Sequence, residues 1–321
     1  MEQSAVIKSK VDISRNLNGY SFPHKLSSQE AEIIIQKVKN VFSDSKYDFT
    51  LHKINELSQS ELMDDEFLIN ANGALLFNSD KTICILINGL DHIKIQVIGY
   101  NDIKGLYKIA NEIDDTLESH LEYAFDKDLG YLTTCPVNVG TGLKVTNTVH
   151  IPSIEKLKQV DDYYKIAHKI GVNFKGVYGK TKSILGSLYK ISNTIMIGRS
   201  EENIIQSVES ISNDLSKREY ESREILKNVH KIDLEDEIFR SLAILSSARV
   251  ITNSELMKCL SNVKLGIEMG YIDDVNLEKV INFMTGKQPY LKIISAYDEE
   301  DKIERASYIR REFSLANRNN K

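Results

Sequence analysis

Cys135 sits at the mouth of a glycine-punctuated turn, within Asp126-Lys-Asp-Leu-Gly-Tyr-Leu-Thr-Thr-Cys135-Pro-Val-Asn138-Val-Gly140-Thr-Gly142-Leu-Lys144. Pro136 has no backbone donor and a fixed φ, so the chain turns there instead of continuing a strand. Gly140 and Gly142 let backbone N–H groups converge, the geometry that cradles phosphate. Lys144 adds a cation just beyond. A thiol, an anion-ready loop and a lysine are parts of a phosphoryl-transfer site. Each has a blander reading: an isolated cysteine is more often a small buried residue, and glycine turns usually just reverse the chain.

The surrounding pattern predicts the elements that position these groups. Ser27-Ser-Gln-Glu30 has capping-box spacing, with Ile34, Val38 and Val41 following at helical intervals. From Tyr47 to Tyr100 come short β-rich runs, at Asp48–His52, Phe67–Asn70, Ala74–Phe77, Thr82–Ile87 and Ile93–Ile98, which read as an antiparallel meander. Leu106, Ile109, Ile113, Leu117 and Leu121 mark one face of a long helix, and Val145–Ile151 a strand. One helix is expected over Ser153–Ile170, with Ile154, Leu157, Val160 and Ile166 inward. Strand-like Phe174–Tyr178 and Tyr189–Ile197 flank a glycine-bearing loop. Ser200 then opens a helix that buries Ile204, Val208, Ile211 and Leu215. Beyond Lys217 the pattern is helical almost to the end. The expectation is an α+β domain over residues 1–225, an antiparallel sheet flanked by helices, followed by an all-helical domain over 226–321.

Composition narrows the function classes. Charged residues are 27% and hydrophobic ones 41% of the 321 residues, the balance of a globular chain. A net charge of −5 argues against broad nucleic-acid binding. No apolar run approaches the ~18–20 residues of a membrane-spanning helix. Met-Glu-Gln-Ser-Ala lacks the marks of a signal peptide, and Cys84, Cys135 and Cys259 are far apart with no CxxC. The expectation is a cytoplasmic chain with reduced thiols, no metal site, and no nucleic-acid or membrane partner.

The 126–152 stretch resembles the signature of the ATP:guanido phosphotransferases, in particular the bacterial protein arginine kinases. Ser9-Lys10-Val11-Asp12-Ile13-Ser14-Arg15-Asn16-Leu17 resembles the family's Ser-Arg-x-Arg-x-x-Arg-Asn-Leu segment. Asn88-Gly89-Leu90-Asp91-His92-Ile93-Lys94-Ile95 resembles Asn-Glu-Glu-Asp-His-Leu-Arg-Ile, and Lys175-Gly176-Val177-Tyr178-Gly179-Lys180 resembles Arg-Gly-x-Tyr-Gly-Glu. Leu188–Asn193 and Gly198–Glu202 match the segments that follow, so the motifs occur in order along nearly the whole chain. The resemblance implies a guanido kinase catalytic fold, ATP with Mg2+ as cofactor where nucleotide binding is retained, and a helical dimerisation domain, hence a homodimer. It also points to protein partners in a stress-response or protease system.

That family's chemistry needs a cage of cations for the phosphates and carboxylates to align the guanidinium nucleophile and take its proton. At the cage positions, which are arginine in the family, this chain carries Lys10, Asp12, Lys94, Lys144 and Lys175, with Arg15 retained. The implied ATP- and phosphate-binding residues are therefore Lys10, Arg15, Lys94, Lys144 and Lys175. Gly89, Leu90 and Lys180 stand where the family has glutamates, leaving Cys135 as the catalytic residue without those partners. Glu300–Ala306 resembles the phosphoarginine-binding Arg-Asp-x-x-Arg-Ala pattern, of which Arg305 and Ala306 hold; the blander reading is an exposed charged helix. Three functions stay open: a degenerate kinase homologue acting by binding, an active kinase with Asp91 or Asp12 replacing the lost acids, and an adaptor that binds no nucleotide.

Overall fold

The computed structural model describes residues 4–43, 46–54, 72–180, 183–286 and 299–314. Its centre is β1 (Val6–Arg15), in which Val11 and Ile13 alternate with Lys10, Asp12 and Ser14, so that one face of the strand is apolar and the other polar. Seven further strands join it: β2 (Thr50–Lys53), β3 (Ala74–Phe77), β4 (Ile83–Ile87), β5 (Ile93–Gly99), β8 (Leu143–His150), β9 (Val172–Gly176) and β12 (Leu188–Asn193). The order is β2-β3-β4-β5-β1-β8-β12-β9, with antiparallel pairing throughout. The meander predicted between Tyr47 and Tyr100 is β2 to β5; the predicted Phe67–Asn70 run lies outside the described residues. Two short pairs lie off the sheet: β6 (Phe125–Asp126) with β7 (Gly130–Tyr131), and β10 (Gly179–Lys180) with β11 (Ser183–Ile184).

The apolar face carries Val11, Ile13, Ile95, Val97, Val145, Val149, Ile191 and Phe174, all buried. Burying each such side chain is worth about 1.5–3 kcal/mol, so this face is the main source of stability. Helices cover it. In α1 (Ser28–Val41) the capping box is present, with the Ser27 hydroxyl accepting from the Glu30 N–H and Glu30 accepting from the Ser27 N–H. The helix α2 (Ile103–Glu118) buries Leu106, Ala110, Ile113 and Leu117, and α5 (Glu201–Val229) buries Ile204, Val208, Ile211 and Leu215.

The single helix expected over Ser153–Ile170 is two: α3 (Pro152–Lys156) and α4 (Val160–Lys169). The break falls at Lys158, whose φ of 57° is left-handed and cannot continue a right-handed helix. The interruption rotates the second half, so Tyr163 and Ala167 face inward and Ile166 is exposed.

A second core belongs to α6 (Lys231–Ser247), α7 (Asn253–Glu268), α8 (Leu277–Met284) and α9 (Glu299–Phe313). Its central helix α7 buries every residue from Leu256 to Gly266 except Lys258, which is exposed. The helix α5 runs unbroken through residue 225 to Val229, and the chain bends at His230, between α5 and α6. The two regions are joined by a buried network. Glu219 accepts from the Ser153 and Ile154 N–H groups and from Arg223 Nε, Arg223 also reaches Glu268 at 2.9 Å, and Lys264 donates to Glu268 at 2.6 Å.

Candidate functional site

Strand register assembles the site. Lys10, Asp12 and Ser14 point to the sheet face opposite the helices, and Asp12 is in register with Gln96 on one side and Lys144 on the other. Lys10 is in register with Thr146, Thr146 with Ser192, and Ser192 with Asn173. One row further, Thr148, Lys190 and Lys175 align. Alternation along each strand puts Lys94 on this face as well. Four of the five sequence-predicted phosphate ligands, Lys10, Lys94, Lys144 and Lys175, therefore share one polar face.

Asp12 is the acid at the middle of this face. It is buried, accepts from Gln96 Nε2 at 2.9 Å, and pairs with Lys10 at 3.4 Å and Lys94 at 3.9 Å. Where the family resemblance expects an arginine, Asp12 instead holds two neighbouring lysines in place. Beyond it opens a cleft of about 230 Å3 lined by Lys144, Lys175 and Lys190, with Thr146, Asn173 and Ser192 between them, and by Asn138 and Val137 of the Cys135 turn. None of its lining residues is acidic. Asn193 fixes its rim, donating to the Leu143 carbonyl and accepting from the Val145 N–H. Lysines on three adjacent strands with no lining acid suit an anion with several negative oxygens.

Arg15 does not join this group. It lies on the opposite face, 2% exposed, bonded to Asp114 at 2.5 Å and to the carbonyls of Ser14 and Thr141. Its guanidinium stacks on Tyr131, 3.6 Å from the ring centroid. Burial pushes the Asp114 carboxyl up, and Arg15 opposes that shift. Every feature of this environment is that of a buried structural pair.

The Cys135 turn is fastened from behind. Asp91 Oδ1 accepts from the Thr134 N–H and from Asn16 Nδ2, each at 2.7 Å. Asn16 in turn accepts from the His92 N–H, and His92 Nδ1 accepts from the Leu17 N–H at 3.0 Å. Cys135 itself is half-buried and a free thiol. The two glycines serve close packing here more than anion binding. At Gly140 (φ 118°) the N–H donates to the Tyr131 carbonyl and a Cβ would lie 2.8 Å from Ile197 Cα. At Gly142 (φ 63°) a Cβ would meet the Ser14 carbonyl oxygen at 2.5 Å.

The positions of the missing acids lie in two loops. Gly89 is buried and Leu90 exposed in the β4–β5 turn, which Asn88 enters at φ 55°. Lys180 pairs with Ser183 in β10, and its side chain lies outside the described residues. Arg305 is 2% exposed within α9 and donates to the Ile251 carbonyl at 3.0 Å, so this part of α9 is buried where an exposed helix was the blander expectation. A larger cleft, about 390 Å3, lies beside α1, lined by Tyr20, Lys37, His120 and Glu122 among others, and includes none of the lysines of the polar face.

Sequence reasoning overlooked Lys190 and Thr146. The signal was present: Leu188, Lys190 and Ser192 alternate with Tyr189, Ile191 and Asn193, so Lys190 shares a face with Ser192. Among the described residues, no group of three or more His, Cys, Asp or Glu could hold a metal.

The fold recurs in solved guanidino kinases. Lombricine kinase superposes with a TM-score of 0.58 at 21% identity, covering 67% of this chain and 66% of that one. The substrate-free duplicated taurocyamine kinase of Schistosoma mansoni gives 0.59 at 19%, covering 76% and 39%. An antiparallel sheet with one helix-covered face and one cationic face is thus a fold shared with these guanidino kinases. Residues 29–222 match the ATP:guanido phosphotransferase C-terminal catalytic domain, and residues 231–321 the protein-arginine kinase McsB C-terminal domain. The protein-arginine kinases of Clostridium kluyveri and Geobacillus sp. are 35% and 34% identical, covering 97% and 99% of this chain and 95% and 92% of theirs. That of Bacillus subtilis is 32% identical, covering 98% and 91%. The chain belongs to the protein arginine kinases of the ATP:guanido phosphotransferase family.

Proposed function

We propose that this protein is a degenerate member of its family, which holds an anionic phosphate ligand on its lysine face and transfers no phosphoryl group to arginine. The observation that carries this reading is the fate of the acids. Gly89, Leu90 and Lys180 supply no carboxylate, and the two nearest replacements are committed elsewhere, Asp91 to the Thr134 and Asn16 N–H groups and Asp12 to Gln96 and two lysines. A guanidinium must lose a proton as its nitrogen attacks, and loss of one acid–base group costs ~10²–10⁴-fold in rate. Here all three are gone.

The lysines keep the other half of the chemistry. Lysine binds phosphate as a point charge, without the bidentate fork that positions an arginine-held γ-phosphate for in-line transfer. The cleft suits ATP, with Mg2+ carried on its phosphates. The family's homodimer and its protein partners in stress response or proteolysis extend this reading. On it, the protein works by holding a ligand or a partner, in the cytoplasm.

The test is an assay of radiolabelled ATP with an arginine-rich protein, scored for acid-labile phosphate, beside thermal melting with and without Mg-ATP. No transfer and a raised melting midpoint are expected, since a ligand bound only by the native state stabilises it by RT ln(1 + [L]/Kd). Robust transfer abolished by Lys144→Ala would overturn the reading. The names of the relatives, all protein-arginine kinases, favour the competing reading of an active enzyme with a rebuilt site.

A further inference from the structure

We propose that Asn18 is a site of self-modification, where Asn18-Gly19 closes to a cyclic imide and reopens as aspartate or isoaspartate. The site is independent of whatever the lysine face binds. It lies in the turn that follows β1, directly after Asn16 and Leu17, which hold Asp91 and His92.

The reaction needs an asparagine whose successor leaves its backbone nitrogen uncrowded, and glycine does this best because it has no Cβ. The chain has three such pairs, Asn18-Gly19, Asn72-Gly73 and Asn88-Gly89. Burial separates them. Asn88 is 0% exposed, donates to the Ala31 carbonyl at 2.9 Å and is followed by a buried Gly89. Gly73 is buried too, its carbonyl accepting from the Ile54 N–H. Asn18 and Gly19 are both exposed, and a Cβ on Gly19 would meet nothing within 4 Å, which leaves room for the ring. The side chain is already folded back on the nucleophile, with Asn18 Oδ1 accepting from the Gly19 N–H at 3.0 Å. Asn18 also lines the cleft of about 390 Å3 beside α1, so water reaches it.

Once hydroxide removes its proton, the Gly19 nitrogen attacks Asn18 Cγ and forms the new C–N bond. The Cγ–Nδ2 bond breaks, and Nδ2 leaves as ammonia after taking a proton from water. Water then adds to the imide. Cleavage of its bond from Cγ to nitrogen gives aspartate, and cleavage at the backbone carbonyl carbon gives isoaspartate. One water is consumed and one ammonia released, with no oxidation or reduction. Asn18 Nδ2 donates to Glu122 Oε1 at 2.7 Å, so the product sets a second carboxylate against Glu122 in place of that hydrogen bond. Isoaspartate also lengthens the main chain by one methylene just beyond the residues that hold Asp91 and His92.

The experiment is peptide mapping by mass spectrometry of the full chain held at mildly alkaline pH, native and in guanidinium chloride. Digestion at mildly acidic pH keeps the ring from closing during the analysis. Trypsin cuts after Arg15, Lys25, Lys81 and Lys94, so Asn18 lies in the peptide 16–25 and Asn88 in 82–94. In the native protein 16–25 is expected to yield its aspartate and isoaspartate forms at least about tenfold faster than 82–94, because buried Asn88 reacts only through opening of the fold. In guanidinium chloride the two peptides should convert at similar rates. Asn18→Ala should abolish conversion of 16–25. Equal native rates would mean that the fold selects no site. No product from native 16–25, where the unfolded chain converts, would mean that the Glu122 bond locks the amide. Product in 16–25 of Asn18→Ala would place the reaction at Asn16. Any of these three results overturns the assignment.

Discussion

Asp91 and Thr134 are joined by a 2.7 Å hydrogen bond from the Thr134 N–H to Asp91 Oδ1, which ties the turn carrying Cys135 to the β4–β5 hairpin. The same oxygen accepts from Asn16, so one buried carboxylate holds three segments together. Asp91→Ala is therefore expected to destabilise the fold by about 2–4 kcal/mol, through two charge-assisted hydrogen bonds and the donors they leave unpaired. Urea denaturation measures it. If Asp91 were instead a replacement catalytic base, its loss would spare stability and remove turnover alone.

Arg15 makes the complementary prediction. Truncation to alanine strands Asp114 in the core, and breaking a buried pair costs about 3–5 kcal/mol. Because Arg15 lies on the helix-covered side, binding of pyrophosphate to the folded variant should match wild type. A selective loss of binding with little change in stability would return Arg15 to the phosphate site.

His150 gives the fold a pH dependence. It is fully buried where β8 meets α7, beside the Ser261 hydroxyl at 2.8 Å, and burial, together with the positive charges of Lys264 and Arg223, drives its pKa well below the usual 6.5. In the unfolded chain it takes up a proton near pH ~6.5. The unfolded state then binds more protons than the native one, so stability falls as pH drops below that value, by at most about 1.4 kcal/mol per pH unit from this group. The buried Glu219 carboxyl, whose pKa is raised by burial, works in the opposite direction at lower pH. Comparing unfolding free energies of wild type and His150→Gln between neutral pH and pH ~5 isolates the histidine. The variant should show the shallower slope; parallel slopes would remove His150 from the account.

Leu90 tests the missing acids. It is 38% exposed, so Leu90→Glu should change stability by no more than about 0.5 kcal/mol. Combined with Lys180→Glu it returns two carboxylates to the family's positions. On the proposed reading of a degenerate site, phosphate transfer to arginine should be absent from wild type and become measurable in the double variant. Activity already present in wild type and unchanged in the variant would show that the chain uses other acids.

Much of this was legible along the chain. The Ser27–Glu30 capping box, the β3 run Ala74–Phe77 and the inward face of α5 follow from local periodicity and local hydrogen bonding, and the structure has them. Four of the lysines on the polar face, Lys10, Lys94, Lys144 and Lys175, were picked out by the family resemblance of their segments. The misreading of α4 came from one residue, Lys158: a left-handed turn inside an apolar periodic stretch carries no glycine or proline to announce it.

The sequence by itself determined the family and the replacement of its arginines and glutamates, because these depend only on which residue stands at which motif position. The tertiary structure decided which of those residues meet. Arg15 and Asp12 are three residues apart in one strand, yet alternation and the helices packed on one side send Arg15 to Asp114 and Asp12 to the lysines. Lys190 and Lys175, fifteen positions apart, become neighbours through the register of β12 against β9. That register is set by nonlocal packing of two sheet faces, and no spacing along the chain encodes it.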